Sequence, residues 1–310
     1  MRVARSGIAV VVGAGTMGTD IAAIFAAHRW SVHVVEPAEN RWTAARRRIS
    51  RSLAQIGSRG RPGEVALHAT LAGVPWRGVG IVIECAPEKL ALKQRLFAEL
   101  ERLAPVRAPL ASNSSSFPIS AIARGLKTRS RMLGLHFFMP AHLVPAVEVV
   151  RGRATDSAVA ARCAALMQRL GKVPVNVKKD LPGFLANRLQ HALMREALAM
   201  VERGLATPKD VDNAVRYGFG LRYLGAGPVM QRDLSGLDVH CAAAATMYPN
   251  LASNTRPGRT LRRLVARGKL GMKTGEGFYK WTPQSAKKTL ARYERALLDA
   301  LALLKRHKGG

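Results

Sequence analysis

The sequence predicts an α/β N-terminal domain on a mostly parallel sheet, followed by an all-α C-terminal domain. Three observations predict it. Short apolar runs alternate with helical patterns through the first part of the chain, the order that gives parallel strands joined by right-handed crossovers. A glycine-rich turn separates the first run from the first helix. From Pro182 onward the pattern is almost wholly helical, with Leu185, Leu189, Leu193 and Ala197 four apart on one helix face. The expected division is 1–182 and 183–310, switching at Leu181-Pro182-Gly183, and 310 residues suit two domains.

The elements follow in order. Ile8–Val12 is a short apolar run, as in a parallel strand covered on both faces. Arg2 and Arg5 before it give a superficial likeness to a signal peptide. The run is short, however, and passes straight into Gly13-Ala14-Gly15 with no cleavage-type segment. Thr19 to His28 reads as a helix, Ser31–Val35 as a strand, and Arg41 to Ile56 as a basic helix. Gly80–Cys85 reads as a third strand and Leu90 to Leu103 as a helix. Met132–Phe138 and Ala146–Val150 are further strands. Lys209 to Arg216, Leu237 to Met247 and Leu261 to Arg267 are helix candidates, and Lys287 to Lys308 an amphipathic tail helix.

Composition removes several classes of function. A chain 48% hydrophobic and 22% charged has the material for a core. No apolar run approaches the roughly 18 residues of a membrane span. Aromatics at 5% argue against a stacking platform for single-stranded nucleic acid. The 49 Lys and Arg against 20 Asp and Glu give a formal charge of +29. That balance fits attraction to polyanions or phosphorylated ligands, and equally a general basic bias. With no nucleic-acid motif, neither a specific nucleic acid nor a membrane is expected as partner. Cys85, Cys163 and Cys241 are far apart and form no CxxC pair. This favours a reducing compartment, the cytoplasm, and offers no metal-ligand spacing.

Gly13-Ala14-Gly15-Thr16-Met17-Gly18 is GxGxxG between a strand and a helix, the context a Rossmann-type dinucleotide site requires. Gly13 permits the tight turn, Gly15 lets backbone approach a pyrophosphate, and Gly18 allows helix to pack on strand. Thr16 and Met17 open the helix whose free N–H groups face the phosphates. Glu36 ends the second strand, 18 residues after Gly18. A carboxylate there accepts both ribose hydroxyls and repels a 2′-phosphate, which favours NAD over NADP. Arg41 nearby softens that exclusion.

A second constellation comes from numbering. If Met132–Phe138 and Ala146–Val150 pair antiparallel about residue 142, partners sum to 284 and His136 faces Glu148. A His held by a carboxylate is a general base. Beside Phe137 and Phe138, a His alone is more often structural, but a carboxylate in an apolar strand needs a partner. Upstream, Ser112-Asn113-Ser114-Ser115-Ser116 is either a hydrogen-bonded turn or a binding loop for substrate oxygen or ribose.

Taken together, these pieces resemble the L-3-hydroxyacyl-CoA dehydrogenase family over most of the chain. The resemblance rests on Gly13–Gly18, Val82-Ile83-Glu84 with Glu88 and Lys93, Ser112-Asn113 with Ser115, His136-Phe137-Phe138 with Pro140, and Val147-Glu148-Val149. It continues through Pro182-Gly183-Phe184, Asn187-Arg188, Gly227-Pro228, Asp233, Gly236-Leu237-Asp238 and Gly271 with Lys273, Gly275, Gly277, Phe278 and Tyr279.

The resemblance implies NAD-dependent oxidation of a 3-hydroxyacyl-CoA, with short chains such as 3-hydroxybutyryl-CoA expected. His136 is then the base and Glu148 its partner, while Ser115 and Asn187 bond the reacting oxygen or orient the cofactor. Glu88 and Lys93 match cofactor-contact positions, and Lys273 stands in a loop expected to reach NAD. The segment Arg41 to Arg61, with seven arginines and no acid, corresponds to the region near the CoA phosphates. Arg46, Arg47, Arg48 and Arg51 are candidates for that contact, against a merely solvated helix face. A homodimer through the helical domain and an active site in the interdomain cleft are also implied. Met139 departs from the family's usual Asn, and Gly80 from a common Asp. Relatives on the same scaffold oxidise free 3-hydroxy compounds of the gulonate or carnitine type, and some crystallin relatives are not catalytic.

Overall fold

A computed structural model describes residues 7–57 and 60–306. Arg2, Arg5, Arg59 and the last two residues of the expected tail helix lie outside the described residues. The chain divides into two compact units, the first running to Arg188 and the second starting at Leu189. That break falls a few residues beyond the expected Pro182–Gly183 switch. The reason is local: Phe184 is buried in the first unit's core, and the next two amides are bound there.

The first unit is an eight-stranded sheet: β1 (Ile8–Val12), β2 (Ser31–Val35), β3 (Val65–His68), β4 (Val79–Glu84), β5 (Leu110–Ser112), β6 (Met132–Phe137), β7 (Ala146–Val150) and β8 (Val173–Val177). Their order is β3-β2-β1-β4-β5-β6-β7-β8. All neighbours pair parallel except β6 and β7, which are antiparallel. The first six strands give the doubly wound order that places ligands at strand C-terminal ends. The sequence reading did not find β3, β8 or the helix between β7 and β8. The two strands lie at the sheet edges, and β8 carries Pro174, which weakens a strand signal.

Helices cover both faces because strand residues alternate sides. Val11 and Ile83 belong to one core, with Ile21 and Phe25 of α1 (Thr16–Ala27), Ala45 and Ile49 of α2 (Trp42–Ile56), and Leu166. Val10, Val12 and Val82 belong to the other, with Phe97 and Leu100 of α3 (Leu90–Leu103) and Ile119 and Ile122 of α4 (Ile119–Ile122). Leu166 lies on α5 (Ser157–Arg169).

The β6–β7 connection is anchored from below. Lys172, buried, donates to the carbonyls of Ala141 (2.6 Å) and Val144 (3.0 Å). Burial pushes its pKa down to about 8. Asp20 on α1, fully buried, receives Ser52 Oγ at 3.0 Å and Arg48 Nε at 3.3 Å, with His142 Nδ1 at 3.1 Å. Burial opposes its charge, but these partners outweigh burial and hold the carboxyl below its ordinary value. The loop after His136 is thereby tied to α1 and α2.

The second unit is helical, with α6 (Ala186–Glu202) entering it, then α7 (Pro208–Asn213), α8 (Pro228–Ser235), α9 (Leu237–Met247), α10 (Arg259–Ala266) and α11 (Pro283–Arg306). The expected helix to Arg216 ends as α at Asn213 and continues as a π-helical turn to Phe219. Thr207 and Asp210 form a capping box at the start of α7. Among its described residues only Gln231 and Ala252 are buried. No helix of the described residues is long and apolar enough to cross a membrane.

One glycine sets how closely α1 sits on the sheet. A Cβ on Gly18 would stand 1.9 Å from the carbonyl oxygen of Gly13. Gly18→Ala therefore has to push α1 off β1, at a cost of about 2 kcal/mol or more. A melting temperature lower by about 5 °C or more is expected by calorimetry, and an unchanged value would show that the helix relaxes without cost.

Candidate active site

His136 and Glu148 face each other across the antiparallel β6–β7 pair, in the register Gly134↔Val150, Leu135↔Val149, His136↔Glu148. His136 Nδ1 and Glu148 Oε2 are 2.6 Å apart. A carboxylate only accepts, so Nδ1 carries the proton and Nε2 keeps its lone pair. Nε2 has no hydrogen-bond partner among the described residues. The ring lies edge-on to Phe138 and Phe184, at centroid distances of 4.7 and 5.6 Å.

Glu148 has no solvent exposure. Its other oxygen, Oε1, accepts the backbone N–H of Leu185 (2.9 Å) and Ala186 (2.8 Å) at the start of α6. Burial pushes the carboxyl pKa up. The His136 bond and the two amides outweigh burial and hold it below the usual value. Glu148 thus remains an anion where a histidine needs one to stabilise its charged form. The sequence reading missed these two amides, because a backbone donor leaves no residue-type signal.

Asn187 follows directly, half-buried, with Nδ2 3.4 Å from the backbone carbonyl of Ser115. The Ser115 side chain is exposed. Asn113 Oδ1 accepts the N–H of Phe137 at 2.9 Å, which fixes the serine loop to the end of β6. The fold therefore brings His136, Glu148, Ser115 and Asn187 into one region of the first unit. Met139 is 68% exposed, beyond the end of β6, so its side chain is open to a ligand.

Glu88 and Lys93 turn out to be bound to the protein itself. Lys93 is buried and donates to Glu84 Oε1 (2.7 Å) and the Ala86 carbonyl (3.3 Å), with Glu88 Oε2 at 3.2 Å. Glu84, fully buried at the end of β4, also accepts Ser112 Oγ at 2.7 Å and the N–H of Ala86 at 2.7 Å. Glu88 accepts the hydroxyl of Ser114 and, at 2.7 Å, that of Ser116. Burial raises the Glu88 pKa, but the serines and Lys93 bring it below its ordinary value. Lys93 has its donors engaged inside the fold, and Glu88 holds the serine loop from one side. The signal that found Glu148, a carboxylate in an apolar strand, would also have found Glu84.

The glycine loop adopts the expected form. Gly13 has φ +105°, and a Cβ there would lie 2.8 Å from the Cys85 carbonyl oxygen. Gly15 differs: a Cβ would meet nothing within 4 Å, and its φ of −69° suits any residue. Nothing inside the protein requires glycine at 15, so the open space fits close approach by a ligand. The α1 N-terminus lacks a side-chain cap, and Thr16 in its first turn is exposed, while Met17 packs against the core. Uncapped N–H groups at a helix start bind phosphate oxygens. Glu36, buried, accepts the amides of Ala14 and Ala38 at 3.2 Å each, with the exposed Arg41 at 3.5 Å. These residues fit a dinucleotide.

Of the α2 arginines, Arg46, Arg47 and Arg51 are exposed, whereas Arg48 turns in to Asp20. Arg48 Nε is therefore engaged by the fold, while its side chain stays 41% exposed. Lys273 is exposed in the loop after Gly271 of the second unit.

Residues 8–181 match the family described as "3-hydroxyacyl-CoA dehydrogenase, NAD binding domain", and residues 183–281 its C-terminal domain. A 3-hydroxybutyryl-CoA dehydrogenase of Mycobacterium tuberculosis is 40% identical over 87% of this chain and 96% of its own length. The 5-formyl-3-hydroxy-2-methylpyridine 4-carboxylate 5-dehydrogenase of Mesorhizobium japonicum is 30% identical over 95% and 97%. A crystal structure of an enzyme of that name, an NAD-dependent dismutase, superposes with a TM-score of 0.91 at 29% identity, covering 97% of this chain and 99% of its own.

The buried Glu84–Lys93 pair yields a direct test. Lys93→Met strands a fully buried carboxylate, which costs about 3–5 kcal/mol. Urea denaturation should show that loss, and Glu84→Gln combined with Lys93→Met should recover part of it. Equal stability of Lys93→Met and the native chain would remove the pair from any structural role.

Proposed function

The chain belongs to the 3-hydroxyacyl-CoA dehydrogenase family of NAD-dependent oxidoreductases, and from that premise we propose that it oxidises a short-chain L-3-hydroxyacyl-CoA, such as 3-hydroxybutyryl-CoA, to the 3-ketoacyl-CoA. The observation that carries the oxidation chemistry is the His136–Glu148 pair, locked by two amides beside Asn187 and Ser115.

His136 Nε2 takes the proton of the 3-hydroxyl as the bond to the C3 hydrogen breaks. Glu148 keeps Nδ1 protonated and stabilises the imidazolium that forms. Asn187 and the Ser115 hydroxyl hold the reacting oxygen. NAD, when bound, accepts the hydride at its nicotinamide. Gly13, Gly15, Thr16, Met17 and Gly18 would hold its pyrophosphate at the start of α1, and Glu36 its adenosine ribose. The exposed Arg46, Arg47 and Arg51 of α2 would take the CoA phosphates. Support for the thioester comes from the relative that is 40% identical.

A second reading has its own support. The relative that acts on a pyridine carboxylate, by its name, matches nearly the whole chain, and the structure of an enzyme so named superposes at 0.91. On this reading the same His–Glu pair serves a substrate without CoA, and the α2 arginines are surface charge.

We also infer a homodimer through the helical unit. With only Gln231 and Ala252 buried among its described residues, that unit shows no core of its own there, while Leu189, Leu234 and Leu237 are 58%, 77% and 62% exposed. A cytoplasmic location is consistent with free thiols at Cys85, Cys163 and Cys241.

The test follows NADH loss with acetoacetyl-CoA and with free acetoacetate. Turnover on the thioester alone supports the CoA reading, and turnover only on acids without CoA overturns it. His136→Ala should keep NADH affinity and lower turnover at least about a hundredfold; full activity would remove His136 as base. Sedimentation should give twice the mass of one chain, and a stable monomer would end the dimer proposal.

A further inference from the structure

A cavity of about 850 Å³ in the first unit shares no residue with the catalytic pair, the glycine loop or α2. Its walls come from α3 and α4, the turn after β7 and the segment after β8. Five cations line it: Arg124, Arg151, Arg153, Lys178 and Lys179. None makes an ion pair among the described residues. The one carboxylate in the lining, Asp180, is engaged by the N–H of Ser120 at 2.6 Å. Five cations against one carboxylate repel one another and favour an anion from outside the chain.

Arg151 gives the independent observation. Its Nε is buried and has no hydrogen-bond partner. Arg151 is half-buried, whereas the buried cations of this unit are well supplied. Lys93 has Glu84, Lys172 has two carbonyls, and Arg131 donates to the carbonyls of Glu101, Ala104, Pro105 and Ala108. The Arg151 guanidinium thus makes no hydrogen bond or ion pair among the described residues and is not spent on the fold. The cavity also has an apolar wall, including Leu90, Pro118 and Leu181.

We propose that this cavity is a binding site for a small organic phosphate. Its oxyanions bind the guanidinium groups of Arg124, Arg151 and Arg153, whose forked donors match phosphate geometry. Its organic body lies on the apolar wall. The volume suits a small molecule. No His or Cys lines the cavity, so the site binds without reacting. The segment Lys178–Pro182 runs on to the Leu185 and Ala186 amides that hold Glu148, so the ligand would lie adjacent in sequence to the catalytic machinery.

Calorimetric titration of adenosine diphosphate and of inorganic pyrophosphate tests the site, using the full chain saturated with NADH at fixed ionic strength. One saturable site per chain is expected, tighter for the nucleotide. Lys178→Ala with Lys179→Ala changes only exposed side chains and should weaken binding at least about tenfold, as should Arg151→Ala. Arg47→Ala with Arg51→Ala should leave it unchanged. Binding lost only in the Arg47 and Arg51 variant would assign the ligand to α2 and overturn the proposal. Unsaturable binding, or a Lys178 and Lys179 variant that titrates like the native chain, would overturn it as well. Pyrophosphate binding without nucleotide binding would rule out an organic ligand.

Discussion

A carboxylate without solvent contact, Glu148, is the point on which the site depends. A buried charge has to be met on every side. Glu148 meets that demand with an imidazole from β6 and two amides from the start of α6. One side chain thus fixes the antiparallel turn of the sheet, the orientation of His136 and the point where the chain leaves the first unit. The requirement that keeps Glu148 ionised is the same one that gives His136 a defined tautomer.

A second buried carboxylate repeats this logic at the end of β4. Glu84 is met by Lys93, Ser112 and the Ala86 amide. Around it Glu88 gathers Ser114 and Ser116, and Asn113 reaches Phe137. The two carboxylates therefore hold the serine loop and the histidine strand against each other. Lys93 and Glu88, which the resemblance assigns to the cofactor, also shape the loop.

The charge of +29 is unevenly used. Arg48, Lys93, Arg131 and Lys172 turn inward onto carboxylates or carbonyls and stabilise connections. Arg46 and Arg47 stay on the surface of α2, and Arg124, Arg153, Lys178 and Lys179 surround a cavity and make no ion pair among the described residues. Net charge says nothing of this division. It depends on which cations find acceptors as the chain closes.

The sequence by itself determined the alternating strands and helices, the glycine loop, Glu36 at the end of β2 and the facing of His136 on Glu148. These are local or follow from a period of two across a short connection, so spacing alone carries them. The edge strands escaped, β3 being only four residues long and β8 interrupted by Pro174. Only the tertiary structure decided which amides complete the bonding of Glu148, which groups satisfy Glu84, which arginine of α2 turns in to Asp20, and where the first unit ends. Those outcomes depend on backbone amides and on distant side chains competing for the same buried charge, and neither leaves a pattern in the order of residues.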